Sequence, residues 1–419
     1  MSKIVKVHNL SVSVNNHEII KDLSIEISES EIICVTGSTG AGKTTFLRVV
    51  TGLIPELYKD FKIDGEISIF GLSPSEALHR GLVAYVPQDV YSFFIGSTPR
   101  EELAAIGIES YCSDINLDKD IDRLSDGQLY RFLLNTALVG GAKVIAIDEP
   151  LSHIDWWSVE KVFEYLKSFA ESNKLVIIVA EHRIDLIKNF CSSIVKLDAS
   201  TTECPNLPKL LGARNNVTST AIELRDVHIT YDYEHILKGI TMSIGFGEAI
   251  AITGRNGCGK TTLLNILAGI AKPSKGFVNI SKRTKLFMVP QNPVYWFPSA
   301  SVEDVAKLFA RKCKFDGNIE NVLSVFNLDR ESKKNVYSLS VGKARLLSMA
   351  LAHISNSSII IVDEPTLGLD CKSRKILVNI FNKFLENEKT VIVATHDLSF
   401  AKLFNTVYIL EKGKLMKGQ

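Results

Sequence analysis

Long apolar runs are missing from this 419-residue chain. The longest, such as Leu175–Ala180 and Ile359–Val362, fall far short of the 18 or so residues that cross a bilayer, so no membrane span is expected. Nor does Met1-Ser2-Lys3-Ile4-Val5-Lys6 hold the apolar core of a secretory signal, and a cytosolic protein is expected. Cysteine is sparse: seven residues, none in a CxxC pair, are expected to be reduced thiols rather than a disulfide framework or a zinc site. An excess of either charge is also absent. Forty-eight basic against forty-seven acidic side chains argue against a strongly basic nucleic-acid-binding domain. With 46% hydrophobic and 23% charged residues, collagen-like, mucin-like and disordered classes are excluded, and the length calls for more than one core.

What the chain does have is an internal repeat. Gly37-Ser38-Thr39-Gly40-Ala41-Gly42-Lys43-Thr44 returns as Gly254-Arg255-Asn256-Gly257-Cys258-Gly259-Lys260-Thr261. Asp148-Glu149-Pro150 returns as Asp363-Glu364-Pro365, and Ala180-Glu181-His182 as Ala394-Thr395-His396, all at a nearly constant offset. Two tandem units are therefore expected at residues 1–200 and 221–419. The linker, 201–220, falls in a Ser-, Thr-, Asn- and Pro-rich stretch without helical or strand periodicity.

In each unit a β-branched run (Ile32–Val35, Ala249–Ile252) enters the glycine loop, and apolar residues at helical spacing leave it. Strand, glycine loop and helix make the P-loop context. The runs Val144–Ile147, Val176–Val179, Ile359–Val362 and Val391–Val393 are apolar throughout, as strands buried on both faces are, which predicts a parallel sheet flanked by helices.

A GxxxxGK[ST] loop binds phosphate because consecutive backbone N–H groups wrap the oxygens, an approach that glycines permit, while the lysine neutralises the β and γ phosphates. Gly37, Ser38, Gly40, Gly42, Lys43 and Thr45 are the expected contacts in the first unit. Gly254, Asn256, Gly257, Gly259, Lys260 and Thr262 are those in the second. The hydroxyls of Thr44 and Thr261 would coordinate Mg²⁺, with Asp148 and Asp363 at strand ends as its carboxylates. The next residues, Glu149 and Glu364, are placed to polarise an attacking water, and His182 and His396, also ending strands, to donate to the γ phosphate. ATP and Mg²⁺ are the expected cofactors.

Leu124-Ser125-Asp126-Gly127-Gln128, with a counterpart Leu339-Ser340-Val341-Gly342-Lys343, resembles the LSGGQ signature of ATP-binding cassette (ABC) proteins, and the resemblance covers nearly the whole chain in two halves. It implies an α/β fold of two tandem P-loop NTPase domains, each a RecA-like core sheet with an antiparallel β subdomain and a helical signature subdomain. In that family two cassettes pack head to tail. Ser125, Gly127, Gln128, Ser340 and Gly342 would then contact the nucleotide held by the other half's P-loop, at a helix N-terminus suited to an anion. By the same resemblance Gln88 and Gln291 are Q-loop residues sensing Mg²⁺ and water, and Asp155 and Asp370 are D-loop aspartates. Tyr231 stands where an aromatic stacks on adenine, a position that is Val14 in the first half.

The stretches Pro87-Gln88-Asp89-Val90-Tyr91-Ser92-Phe93-Phe94 and Pro290-Gln291-Asn292-Pro293-Val294-Tyr295-Trp296-Phe297 are similar to those of the ATPases of energy-coupling-factor (ECF) importers of vitamins and transition-metal ions. Phe93 and Trp296 replace the second glutamine usual there. That resemblance implies integral membrane partners, a coupling protein and a substrate-binding protein, with this chain peripheral on the cytoplasmic face and no nucleic-acid partner. Read from residues alone, aromatics beside a mobile loop fill the core or receive a partner helix with equal weight. The alternative function is a soluble tandem ABC ATPase acting on ribosomes or nucleic acid. Long charged linkers, clustered cysteines and a sustained coiled-coil heptad, which mark such proteins, are absent. The two ATP sites are expected to be unequal: the one joining Lys43 to Ser340 lacks several usual groups and is expected to turn over slowly.

Overall fold

A computed structural model of the chain describes residues 3–418, except 16, 39, 89, 109, 110, 112–114, 153, 155, 199–206, 212–218, 232, 233, 283, 368 and 370. Two compact units divide it, Met1–Cys204 and Pro205–Gln419.

In the first unit β1 (Lys3–Val14), β2 (His17–Ser28) and β4 (Phe61–Ile69) form an antiparallel sheet in the order β2-β1-β4, on either side of β3 (Ile32–Thr36) in sequence. With β5 (Val83–Val86), β6 (Val144–Asp148), β7 (Val176–Ala180) and β8 (Ser193–Lys196), β3 builds a parallel sheet in the order β5-β6-β7-β3-β8. The apolar runs are buried on both faces as their composition requires. Ile33 and Val35 pack with Phe46, Leu47 and Val50 of the helix Lys43–Val50, whereas Ile32 and Cys34 pack with Phe132 of the helix Asp126–Val139 and Phe163 and Leu166 of the helix Trp156–Asn173.

The second unit repeats this plan. Its antiparallel sheet is β10-β9-β12, from β9 (Thr220–Tyr231), β10 (Glu234–Gly245) and β12 (Lys275–Ile280). Its core sheet runs β13-β14-β15-β11-β16-β17, from β11 (Ala249–Thr253), β13 (Leu286–Val289), β14 (Ile359–Asp363), β15 (Thr390–Thr395), β16 (Thr406–Glu411) and β17 (Lys414–Lys417). Only the β16–β17 pair is antiparallel. The expected fold class is thus present in both units. In each, the strand entering the P-loop lies between two strands that come much later in the chain, so the loop opens at the carboxyl ends of the sheet. Within the stretch assigned to a linker, Leu210 is buried against the second unit, its N–H donating to the Leu403 carbonyl.

The helical insertions differ between the units. Between Gln291 and Ser340 the second unit has the α-helices Val302–Cys313 and Ile319–Val325, whereas the described residues of the first, between Gln88 and Ser125, show Pro99–Ala105 as the one α-helix. Conversely, Leu53–Glu56 and Pro74–His79 enlarge the first unit between Lys43 and Gln88.

One expectation is corrected. Cys34 on β3 and Cys191, just ahead of β8, are joined as a disulfide with Cα atoms 5.7 Å apart, not reduced. They are 157 residues apart, and neighbouring strands of a parallel sheet bring them together, which a search for short cysteine spacings does not detect. Among the described residues Cys258 and Cys313 are free.

A buried ion pair fixes the end of β15. Arg374 of the helix Cys371–Glu386 donates to Asp397 at 2.7 Å, with both side chains almost sealed from solvent, and Asp397 in turn caps the helix Leu398–Ala401. Arg374→Met would strand a buried carboxylate. The expected cost is about 3–5 kcal/mol of stability, read as a lowered denaturant midpoint without loss of secondary structure in the native baseline.

Candidate nucleotide-hydrolysis sites

Each P-loop helix begins at a glycine in the left-handed region, Gly42 at φ 93° and Gly259 at φ 99°. A Cβ there would stand 2.7 Å from Ile19 Cγ2 or 2.9 Å from Ile236 Cγ2, so glycine is needed for close approach as well as for φ. Gly40 and Gly257 also have positive φ. Lys43 and Lys260 are buried, and their ammonium groups span the loops. Lys43 donates to the carbonyls of Gly37 at 3.0 Å and Ser38 at 3.1 Å; Lys260 donates to those of Gly254 at 2.9 Å and Arg255 at 3.2 Å. A cation held by carbonyl dipoles over a turn of backbone N–H groups at a helix N-terminus is a phosphate receptor. Ser38 behaves differently from expectation: its N–H and hydroxyl both donate to Asp198. Thr45 and Thr262 are half-buried one residue further along each helix, and Asn256 is exposed in its loop.

The metal positions fit a hard cation. Thr261 donates its hydroxyl to Asp363 at 2.6 Å, and Thr44 bonds Asp148 in the same way. Tyr85 donates to the Oδ2 of Asp148, whose buried Oδ1 has no partner. Burial pushes the Asp363 carboxyl up to about 6 despite the Thr261 hydroxyl. A hydroxyl beside a sealed carboxylate with an unused oxygen suits Mg²⁺, which would supply charge neutralisation at the phosphates. Gln88 joins this group by donating to Glu149 at 2.9 Å. Gln291 is exposed, and no side-chain bond ties it to Glu364 among the described residues.

Glu149 and Glu364 occupy the left-handed region at φ 44° and 47°, which disfavours non-glycine residues and is retained at sites where geometry serves chemistry. A backbone bond to the adjacent strand enforces it: Glu149 N–H to the Ala180 carbonyl and Glu364 N–H to that of Ala394, each at 2.8 Å. Lys43 lies 3.6 Å from Glu149 and Lys260 3.7 Å from Glu364. His396 then secures Glu364, with Nδ1 at 2.9 Å and its backbone N–H at 3.1 and 3.2 Å from the two carboxylate oxygens. Burial alone would raise this carboxyl, but His396 and Lys260 outweigh it and bring it down to about 2. His182 stands farther from its partner, 3.7 Å from Glu149.

Ser125 and Ser340 each cap a signature helix, accepting from the N–H of Gln128 at 3.3 Å and Lys343 at 3.4 Å. Gln128 returns the bond to the Ser125 N–H. A Cβ on Gly127 would meet nothing, leaving that turn open to an approaching group, while Gly342 is buried. Tyr231 ends β9 with 53% of its surface exposed, available to stack on a base; Val14 is half-buried at the same place in β1. Thr39, Asp155 and Asp370 lie outside the described residues.

Two residues at these sites escape motif reading. Glu181, wholly buried, is bonded to His182. Arg345, also wholly buried, donates to the carbonyls of Asp363, Glu364 and Gln291, so the signature helix holds the ends of β14 and the Q-loop together. Burial lowers its pKa to about 10. The signal available was a charge inside an apolar helical stretch, matched in the first unit by buried Tyr130. At Cys258, in the second P-loop, burial raises the thiol's pKa and outweighs the lowering by Lys260.

A family model described as ABC transporter matches residues 20–152 and 237–367, over half of the chain and across both sites. The chain belongs to the ABC transporter family. Two relatives provisionally named as ABC transporter ATP-binding proteins align along almost their full length. One, from Treponema denticola, is 26% identical over 99% of this chain and 96% of its own. The other, from Saccharolobus solfataricus, is 25% identical over 99% and 93%. Among solved structures, an RNase-L inhibitor covers 98% of this chain and 89% of its own at a TM-score of 0.61 and 19% identity. An archaeal ribosome recycling factor, solved with a ribosomal stalk protein, covers 98% and 90% at 0.62 and 19%. At that identity the likeness concerns the fold. As an ABC ATPase the chain binds and hydrolyses ATP.

Because the Asp363 pKa is raised on folding, its ionisation costs stability that is absent below about pH 4 and fully felt above pH 6, on the order of 3 kcal/mol. Asp363→Asn should melt above the parent chain at pH 7.5, show no advantage at pH 4 and lose ATPase activity. A lower melting point at pH 7.5 would contradict the assignment. Cys258 should alkylate slowly at pH 7 and faster as pH rises, and MgATP should protect it; rapid, pH-independent modification would show a thiolate.

Proposed function

We propose that this ABC ATPase energises a membrane transporter, of the ECF type that imports vitamins or transition-metal ions, using Mg²⁺ with ATP. The carrying observation is a set of large apolar side chains left in solvent directly after the Q-loop glutamines. Tyr91 and Phe93, on a turn at Tyr91–Phe93, and Ile95 are 39%, 55% and 76% exposed. Tyr295 and Trp296, on a turn at Pro293–Trp296, are 76% and 56% exposed. Such patches beside a nucleotide-sensing loop suit an apolar helix of a partner, which would move when the loop does. Not all the aromatics belong to this surface: Phe297 is buried, and Phe94 packs on Phe132 with ring centroids 6.1 Å apart. No helix among the described residues is long and apolar enough to cross a membrane, so the translocation path would belong to separate subunits. ATP bridging one unit's P-loop and the other's signature would close the pair head to tail, and hydrolysis would release it.

The names of the full-length relatives support transport. The nearly balanced charge of the chain gives no support to the ribosomal or nucleic-acid alternative. Phe93→Ala with Trp296→Ala should abolish co-purification with the membrane subunits while leaving the melting temperature and basal ATPase activity unchanged. Intact assembly, or a lowered melting temperature, would make these residues part of the core. ATP hydrolysis should stop in excess EDTA; activity that persists there would exclude a metal-dependent site. Sedimentation with ribosomes but not with membranes would favour the alternative.

A further inference from the structure

The two units present the same anion cradle at the end of the strand that carries the histidine, and they fill it with different carboxylates. In the second unit the N–H and the Nδ1 of His396 both serve Glu364. The preceding Thr395 is too short to compete, and its hydroxyl accepts from the Asp397 N–H at 3.0 Å. In the first unit Glu181 stands in the place of Thr395. Its Oε1 accepts from the N–H groups of His182 at 2.8 Å and Arg183 at 3.0 Å and meets His182 Nδ1 at 3.0 Å, while its Oε2 accepts from the Leu151 N–H at 3.2 Å. Glu149 accepts from the Gln88 amide and lies 3.6 Å from Lys43 and 3.7 Å from His182 Nδ1, and its side chain is more open to solvent than that of Glu364. His182 Nε2 is buried without a partner.

We infer that Glu181 is a positioning residue that diverts His182 from Glu149 and thereby slows hydrolysis at the first unit's carboxylate. Glu181 is fully enclosed, so its charge persists only with these donors, and exchanging them for solvent is closed to it. Burial opposes charge on both members of the pair, yet each holds the other ionised, Glu181 lowered and His182 raised, with Arg183 adding to the hold on Glu181 and Glu149 adding to that on His182. The imidazole therefore sits closer to Glu181, at 3.0 Å, than to Glu149, at 3.7 Å. A base must be fixed relative to the phosphate, and a displacement near 1 Å costs up to about a hundred-fold in rate. In the second unit one imidazole spans that gap by bonding the carboxylate directly. In the first, the corresponding distance is 3.7 Å against 2.9 Å.

The inference rests on the reading of Glu149 and Glu364 as the bases of ATP hydrolysis. Glu181→Thr, which installs the second unit's own residue, is tested in the full chain and again with Glu364→Gln to silence the other base. In a crystal structure of Glu181→Thr, His182 Nδ1 should close to hydrogen-bond distance from Glu149 and the Gln88–Glu149 bond should open. In the Glu364→Gln background kcat should rise on the order of ten-fold with KM for ATP unchanged, and Glu181→Gln should give a smaller rise. Loss of a merely structural carboxylate would not raise kcat. His182 remaining apart from Glu149, or kcat staying level or falling, overturns the inference. Absence of Mg²⁺-dependent turnover in the parent chain would instead overturn the hydrolysis reading, and the crystallographic outcome would still decide the partner of His182.

Discussion

A buried ammonium beside a carboxylate, poised over a turn of backbone N–H groups, is the interaction on which each unit depends. Lys43 and Lys260 are sealed in low dielectric with Glu149 and Glu364 less than 4 Å away. Neither charge is tolerable there alone. The loop carbonyls share the load, the left-handed glutamates turn their side chains inward, and the parallel sheet brings the loop and both following strand ends to one edge. An incoming phosphate completes a site whose positive half is built in advance, so little rearrangement is needed to hold it.

Much of this was legible because it is local. A glycine loop between a β-branched run and a helix, an aspartate ending an apolar strand and a serine opening a helix each announce their conformation within a few residues, and Gly42, Asp148 and Ser125 stand where that reading puts them. What was not legible is relational. Cys34 meets Cys191, and Arg345 reaches three backbone carbonyls, through pairings that the sheet makes between distant segments. Backbone carbonyls carry no sequence signal at all. The aromatics after the Q-loop were half legible: their presence was plain, but the assignment of Phe297 to the core and Trp296 to solvent depends on how a short turn rolls.

Duplication makes these differences interpretable, because each unit is a control for the other. Strand order, P-loop geometry and the strained glutamates are shared, so they belong to the common task of holding and cleaving a phosphate. Departures cluster around the carboxylates and the surface next to the Q-loop. Gln88 binds Glu149 through its side chain, whereas Gln291 is anchored through its carbonyl by Arg345. In the first unit, then, a movement of the Gln88 side chain would act directly on Glu149. In the second, it must act through a wholly buried guanidinium that also holds the ends of β14.

These two modes of linkage have different mechanical consequences. A single amide–carboxylate hydrogen bond at a half-exposed position contributes on the order of 1–3 kcal/mol and can exchange with water or a metal as the loop moves. A buried arginine bonded to three carbonyls cannot let go of one without exposing an unsatisfied charge, so the loop backbone and strand end behave as one body. On the reading of Glu149 and Glu364 as bases, the first unit would let its Q-loop separate from its base, and the second would keep them together. Ligand-driven motion at the exposed aromatics would be absorbed by side-chain exchange in the first unit and passed on through backbone in the second. Inequality between the units is in this sense a property of what surrounds the phosphate loops, since the loops themselves are alike.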